Sequence, residues 1–423
     1  MPTDEIPMPP LPIVQNALRM TTERLAAELA APSAEVPDWS PFEWRAAMAV
    51  AAMHGISALL AGRLRWHGPA SWTSFLAEQK EQGLLRQQRT QQLLAGIDAA
   101  ARQAQIPLLA LKGSALLDLA LYSPGERPMS DIDLLSREQD FAASRRLIEA
   151  LGYEESVTTW KHIEYQPIGT AQDRAFGEHI GNPIKIELHG RIMERLPLRN
   201  VAITAQVFPP GAHAGLNPYP SLAALMRHLL LHAAGNMCAQ SMRLIHLHDI
   251  AALADRLQTG DWEELMQPGE DGREPWWLLP PLTLVECHFA GRIPAQLLSR
   301  AALRCPPLLR WVSKRHRIVD ISFSKLSIPM LPGVAWSRST TEAFAWALTR
   351  LYPGRQTVAA YKKAALGEHI PTVTGWAQLP RWQKGLRILT RSSPRPQTMY
   401  SVQRALSYRP ASSPYKASSK AAL

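Results

Sequence analysis

Two short stretches of this 423-residue chain, Lys112-Gly113-Ser114 and Asp131-Ile132-Asp133, have the residue types and spacing to do chemistry. A glycine-serine turn that opens a helix offers backbone N–H groups and a hydroxyl to an anion. Strand side chains alternate, so two aspartates one residue apart point to the same side. Their carboxylates repel unless a cation lies between them. A turn that grips phosphate beside acids that grip a metal is suited to a metal–triphosphate complex. A third acid is available in Glu187: residues 184–189 read as a strand introduced by the turn signal Gly181-Asn182-Pro183. If that strand lies beside Asp131, Glu187 joins the same face, flanked by Lys185 and His189.

Chemistry of this kind dictates the roles. Magnesium takes oxygen ligands and retains water, so two or three carboxylates plus substrate phosphates suffice, and paired ions can stabilise both the attacking and the leaving oxygens of an in-line displacement. Asp131 and Asp133 are expected to bridge Mg²⁺ or Mn²⁺, with Glu187 holding the catalytic ion. Gly113 and Ser114 are expected to grip the outer phosphates of a nucleoside triphosphate, ATP in the first place, while Lys112 or Arg127 neutralises them. For Arg127 a second reading stands: it follows the turn Pro124-Gly125-Glu126 and can pair with Glu126 alone.

The elements that must position these residues form an α/β pattern. Residues 107–112 read as a short buried strand, with Gly113 permitting a sharp turn into a helix near Ser114. Residues 137–151 form an apolar helical face at Phe141, Leu147, Ile148 and Leu151, stopped by Gly152. Residues 160–165 alternate weakly as a further strand. Helices are expected outside this core at 13–31, 42–64, 72–104, 222–234, 241–257, 276–289 and 343–352, the later ones broken by Pro280-Pro281 and Pro306-Pro307. The fold class is an α/β (α+β) core with a small mixed sheet, flanked by mainly α-helical regions. The expected division is a helical region at 1–92, a catalytic core at 93–205, a helical region at 206–368 and a basic, partly disordered tail at 369–423.

These residues resemble the nucleotidyltransferase superfamily that includes DNA polymerase beta and the antibiotic nucleotidyltransferases. More closely, the chain resembles a bacterial family of uncharacterised nucleotidyltransferases. The elements that carry the likeness are Lys112-Gly113, Tyr122, Arg127, Asp131-Ile132-Asp133-Leu134-Leu135, Leu151-Gly152-Tyr153, Glu187-Leu188-His189, Leu231-His232 and Leu247-His248-Asp249-Ile250-Ala251. The resemblance implies a Mg²⁺-dependent transfer of a nucleoside monophosphate to a small-molecule, peptide or protein acceptor. The alternative is a noncatalytic nucleotide- or partner-binding protein on a degenerate version of the fold, and the presence of Glu187 favours the enzyme.

A second constellation, His228 and His232 four apart on a helix with His246, His248 and Asp249 after them, has the spacing of a zinc site. Leu229-Leu230-Leu231 stands where a hydrolase would carry its glutamate, which favours packing roles for these imidazoles.

Charge narrows the partners. Of the 46 Lys and Arg residues, nine lie from His369 onward, where there is no Asp or Glu, leaving 37 basic against 36 acidic residues before them. A near-neutral body lacks the basic footprint of a nucleic-acid enzyme. The tail is left a nonspecific acidic partner, with solubilisation as its plainer role. Three cysteines without metal spacing, no signal-like start and no spanning apolar run are read as a soluble, cytoplasmic protein.

Overall fold

A computed structural model describes residues 7–169, 175–269, 272–327, 331, 333–351, 380, 382–383, 385–386, 390 and 394–409. The chain opens with α1 (Leu11–Ala30) and α2 (Pro41–Met53), the latter started by a capping box in which Ser40 and Glu43 satisfy each other's backbone N–H groups. The single helix expected over 42–64 is two. Gly55 adopts φ +67° and the chain turns by 111° into α3 (Ser57–Arg63). No helix among the described residues is by itself long and apolar enough to cross a membrane, and this bent pair contributes much of the helical core.

The 34-residue α4 (Ala70–Gln103) joins both halves of the structure. Its start packs Trp72, Phe75 and Leu76 among the other helices, and its end packs Ile97 and Ala101 against the sheet. The boundary expected at 92/93 therefore falls inside one continuous helix.

Then follow β1 (Pro107–Ala110), α5 (Gly113–Asp118), β2 (Asp131–Ser136), α6 (Phe141–Ala150), β3 (Tyr153–Thr158), β4 (His162–Pro167) and β5 (Lys185–His189). A separate hairpin, β6 (Met193–Leu196) with β7 (Arg199–Ala202), precedes the short α7 (Thr204–Val207) and β8 (Gly215–Asn217). Among the described residues the sheet order is β3-β4-β5-β2-β1-β8. The β2–β5 and β1–β8 pairs are parallel and the others antiparallel, which is the expected small mixed sheet. Ile132, Leu134, Ile186 and Leu188 fill the core between the sheet and α4 and α6. The opposite face, bearing Asp131, Asp133, Glu187 and His189, turns toward the later helices.

Those helices are α8 (Leu222–Ala239), capped by Ser221 accepting from the Ala224 N–H, α9 (Leu244–Ala254), α10 (Thr259–Leu265), α11 (Leu279–His288), α12 (Ala295–Arg304), α13 (Pro307–Ser313) and α14 (Thr340–Leu351). Pro280 and Pro281 occupy the first turn of α11 and start it, where a proline's missing N–H costs nothing. One hydrophobic core runs through α1–α3, α8, α9 and α11, so the helical regions expected before and after the catalytic core in sequence pack against each other.

The expected disordered tail also contains an ordered element, α15 (Pro396–Ser407). Thr398, Val402 and Ala405, spaced four and three apart, are buried, and the Arg395 Nη1 donates to the Gln240 carbonyl at 2.7 Å. This stripe of small and β-branched residues is helical in period but modest in hydrophobicity, so composition alone conceals it. Most of the rest of the expected tail lies outside the described residues.

Candidate active site

Parallel pairing of β2 with β5 places Asp133 opposite Glu187 and Asp131 opposite Lys185. Asp131, Asp133, Glu187 and His189 line one cavity of about 370 Å³, closed on the far side by His228, His232 and Asn236 of α8 and by Ser241, Arg243 and His246 near α9. Lys185 is drawn off by Glu164, at 2.6 Å.

Within the acids the environments differ. Asp133 is buried and receives Lys112 Nζ at 2.7 Å and His189 Nε2 at 3.0 Å on the same Oδ1 atom. Burial opposes its ionisation, but the Lys112 ammonium and the His189 bond hold its carboxyl well below the usual range. Asp131 makes no side-chain hydrogen bond or ion pair among the described residues. Burial and then the Asp133 charge raise its pKa. An unpartnered acid facing the cavity beside a charged one is a donor set that a hard divalent cation fits. His189 loses favour for its charge by burial, yet Asp133 and Glu187 outweigh this and raise its pKa. Burial disfavours the Lys112 ammonium too, and the charges of Asp133, Glu187 and Asp131 more than restore it.

The turn before α5 differs from expectation. Positive φ falls on Lys112, at 45°, and not on Gly113. Gly113 is needed for space, because a Cβ there would stand 2.4 Å from Arg127 Nη1. The backbone donors expected to face phosphate are partly spent: Lys112 N–H bonds the Tyr219 hydroxyl at 3.2 Å and Ser114 N–H the Leu111 carbonyl at 3.1 Å. Ser114 Oγ is buried without a hydrogen-bond partner, and Ser114 lines a second cavity between α4, α5 and β8. Lys112 and Gly113 line the acid cavity; Ser114 does not.

Arg127 pairs with neither Glu126 nor a free face. Its Nε and Nη2 grip the two carboxylate oxygens of Asp249, each at 2.8 Å. Tyr122 donates to Asp249 Oδ1 at 2.6 Å and lies 2.9 Å from His248 Nδ1. Tyr122, Arg127, His248 and Asp249, scattered in sequence, thus form one buried strut from the β2 approach to α9. Burial opposes ionisation of Asp249, and Arg127 overrides it, holding the carboxyl below its ordinary value.

His228 and His232 do not form a zinc pair. His228 Nδ1 is taken by the Tyr219 hydroxyl at 2.7 Å, while His232 stands 3.7 Å from Glu194 Oε1. Burial keeps both imidazoles neutral.

Several cavity residues escaped the sequence reading, His162 and Arg243 among them. His162, at the start of β4, sits 3.3 Å from Glu187 Oε2 through Nδ1. Arg243, at the α9 N-terminus, is half-buried, with Nε on the Met53 carbonyl at 2.9 Å, the one hydrogen bond of its side chain among the described residues. The alternation of β4 was the one sequence signal pointing to His162; Arg243 had none, because its place depends on the bend at Gly55, whose added Cβ would lie 2.7 Å from Arg243 Nη2.

A mixed sheet presenting a same-face acid set to a helix-walled cavity defines an α/β protein of nucleotidyltransferase type. A family model described as uncharacterised nucleotidyltransferase matches residues 40–272, more than half of the chain, and the protein belongs to that family. No curated protein matches the chain significantly, and no solved structure does.

Proposed function

We propose that the protein transfers a nucleoside monophosphate from a nucleoside triphosphate, ATP in the first place, to a small-molecule, peptide or protein acceptor with Mg²⁺ or Mn²⁺. The observation that carries this reading is the shared cavity face of Asp131, Asp133 and Glu187 on adjacent parallel strands. Asp131, unpartnered, and Asp133, poised between Lys112 and His189, would hold the cation with the phosphates. When bound, such ions lower the cost of negative charge on the attacking and leaving oxygens.

The chain's own residues orient the rest. An acceptor oxygen or nitrogen forms its bond to the α-phosphorus as the bond to the bridging oxygen breaks and pyrophosphate leaves. Glu187 would help hold the catalytic ion and take the acceptor's proton. Arg243, a half-buried cation with spare donors, would face the phosphate oxygens, since Lys112 is held on Asp133 and Arg127 on Asp249. Neutral His228, His232 and His246 on the opposite wall exclude bulk water and leave room for an uncharged part of either substrate. The three free cysteines, Cys238, Cys287 and Cys305, fit a reducing, cytoplasmic setting.

The test is thermal stabilisation by nucleoside triphosphates with and without Mg²⁺, followed by transfer of an α-labelled phosphoryl group into candidate acceptors. Wild type should show metal-dependent stabilisation, since a ligand that binds only the folded chain raises its stability. The paired substitutions Asp131→Asn and Asp133→Asn should abolish that synergy while the protein stays folded. Undiminished metal–nucleotide binding by this variant would overturn the reading.

A further inference from the structure

We propose that His162, Glu187 and His189 form a transition-metal site, suited to Zn²⁺ or Co²⁺ ahead of Mg²⁺, at the acceptor side of the cavity. The proposal rests on the reading of Glu187 as the third acid and specifies which ion it holds.

The sheet itself builds the triangle. Antiparallel pairing of β4 and β5 sets His162 directly opposite His189, and Glu187 lies two residues earlier on the same face as His189. Glu187 Oε2 is 3.3 Å from His162 Nδ1 and 3.6 Å from His189 Nε2, and one ligand atom from each residue lies within 4.8 Å of the other two. Ligands about 2.0–2.1 Å from a tetrahedral ion stand roughly 3.3–3.4 Å apart, so these edges match a metal better than they match hydrogen bonds. His162 Nδ1 is in fact buried without a hydrogen-bond partner.

Donor type decides the ion. Two imidazoles and one carboxylate suit zinc, cobalt or iron, whereas magnesium prefers an all-oxygen shell. The imidazole rings lie edge to face with centroids 5.0 Å apart, an arrangement in which two protonated rings would repel and two neutral rings can share a cation. Three protein ligands opening on a cavity leave a fourth position for water or substrate, the pattern of catalytic zinc sites. Metal binding would take the His189 Nε2 lone pair and release its bond to Asp133 Oδ1, leaving Asp131 and Asp133 as a separate oxygen pair, so the cavity would take two unlike cations.

The experiment uses the full chain stripped of metal and titrated with Co²⁺ in the absence of nucleotide. The expected result is one equivalent of cobalt with the intense visible bands of a four- or five-coordinate, nitrogen-ligated ion, displaced by one equivalent of Zn²⁺. His162→Gln and His189→Gln should each weaken Zn²⁺ binding at least about tenfold. X-ray absorption of Zn²⁺-loaded wild type, which needs no variant, should show two imidazole ligands. A spectrum like that of the aqua ion, a zinc shell without imidazole, or unchanged zinc affinity in a folded His162→Gln would overturn the proposal. Loss of Mg²⁺-dependent nucleotide stabilisation with the cobalt spectrum intact would instead count against the nucleotidyl-transfer reading alone.

Discussion

The Arg127 guanidinium and the Asp249 carboxylate, 122 residues apart, meet through two parallel hydrogen bonds of 2.8 Å with both side chains buried. The pair ties the loop that leads into β2 to α9, and so fixes the distance between the acids and the helical wall that faces them. Asp249→Asn removes the charge while keeping the shape, and leaves Arg127 a buried cation without its counter-ion. The expected loss is about 3–5 kcal/mol of stability, read by urea unfolding. Removing both partners together as Arg127→Met with Asp249→Leu should cost clearly less than the two single losses added, because no uncompensated charge remains.

The proposed phosphate contacts separate Arg243 from Ser114. Replacing Arg243 by Met should weaken nucleotide binding about 10–100-fold, the range for loss of a hydrogen-bonded charge, as measured by calorimetry with Mg²⁺ present. Ser114→Ala should leave nucleotide affinity unchanged and stability about neutral, because its Oγ is unpartnered and Ser114 lines the other cavity. A large affinity loss in Ser114→Ala would restore the glycine-serine turn as the phosphate cradle.

His54 makes stability depend on pH. Its Nδ1 accepts the Leu244 N–H at 3.0 Å and its Nε2 lies 2.9 Å from Ser324 Oγ, so a further proton on Nδ1 would break the Leu244 bond. Burial, with repulsion from Arg243, lowers its pKa to about 3. The unfolded chain takes the proton below about pH 6.5 while the folded chain does not. The neutral ring's contribution is therefore whole above that pH and is lost as pH falls toward 3. The slope for one such group approaches about 1.4 kcal/mol per pH unit. In unfolding curves between pH 6.5 and 4, His54→Gln should reduce the pH dependence by about one proton. An unchanged slope would show that His54 titrates alike in both states.

The C-terminal helix α15 is structural. Truncation before Arg395 exposes the surface that Val402 and Ala405 cover and strands the Gln240 and Phe323 carbonyls that Arg395 and Thr398 satisfy. A loss of at least about 2 kcal/mol is expected from the buried valine and the lost bonds. Circular dichroism melts of the truncated and full chains check it; coincident melts would mean the helix contributes nothing to the folded core.

Much of this site was readable from local pattern. Asp131 and Asp133 share a face because a strand has a period of two, and Glu187 lies on a segment whose alternation shows before any partner strand is known. The same period puts Ile132, Leu134, Ile186 and Leu188 on the opposite face, and they are buried in the core. The bend at Gly55, the helix inside the basic tail and the strands β3 and β8 were not readable. They are short or weakly apolar, and packing against distant segments decides them.

What only the tertiary structure decided is which charges remain free to act. The sequence offers Lys112 and Arg127 as the cations for phosphate and does not single out Arg243. In the fold Lys112 is held by Asp133, Arg127 is closed on Asp249, and Arg243 keeps spare donors toward the cavity. Likewise His162 becomes a neighbour of Glu187 only through the pairing of β4 with β5. Residue type and period act over a few positions, so the chain determines the acid-bearing strands by itself. The partner of a buried charge is set by strand register and helix packing across more than a hundred residues, and no local pattern contains that distance.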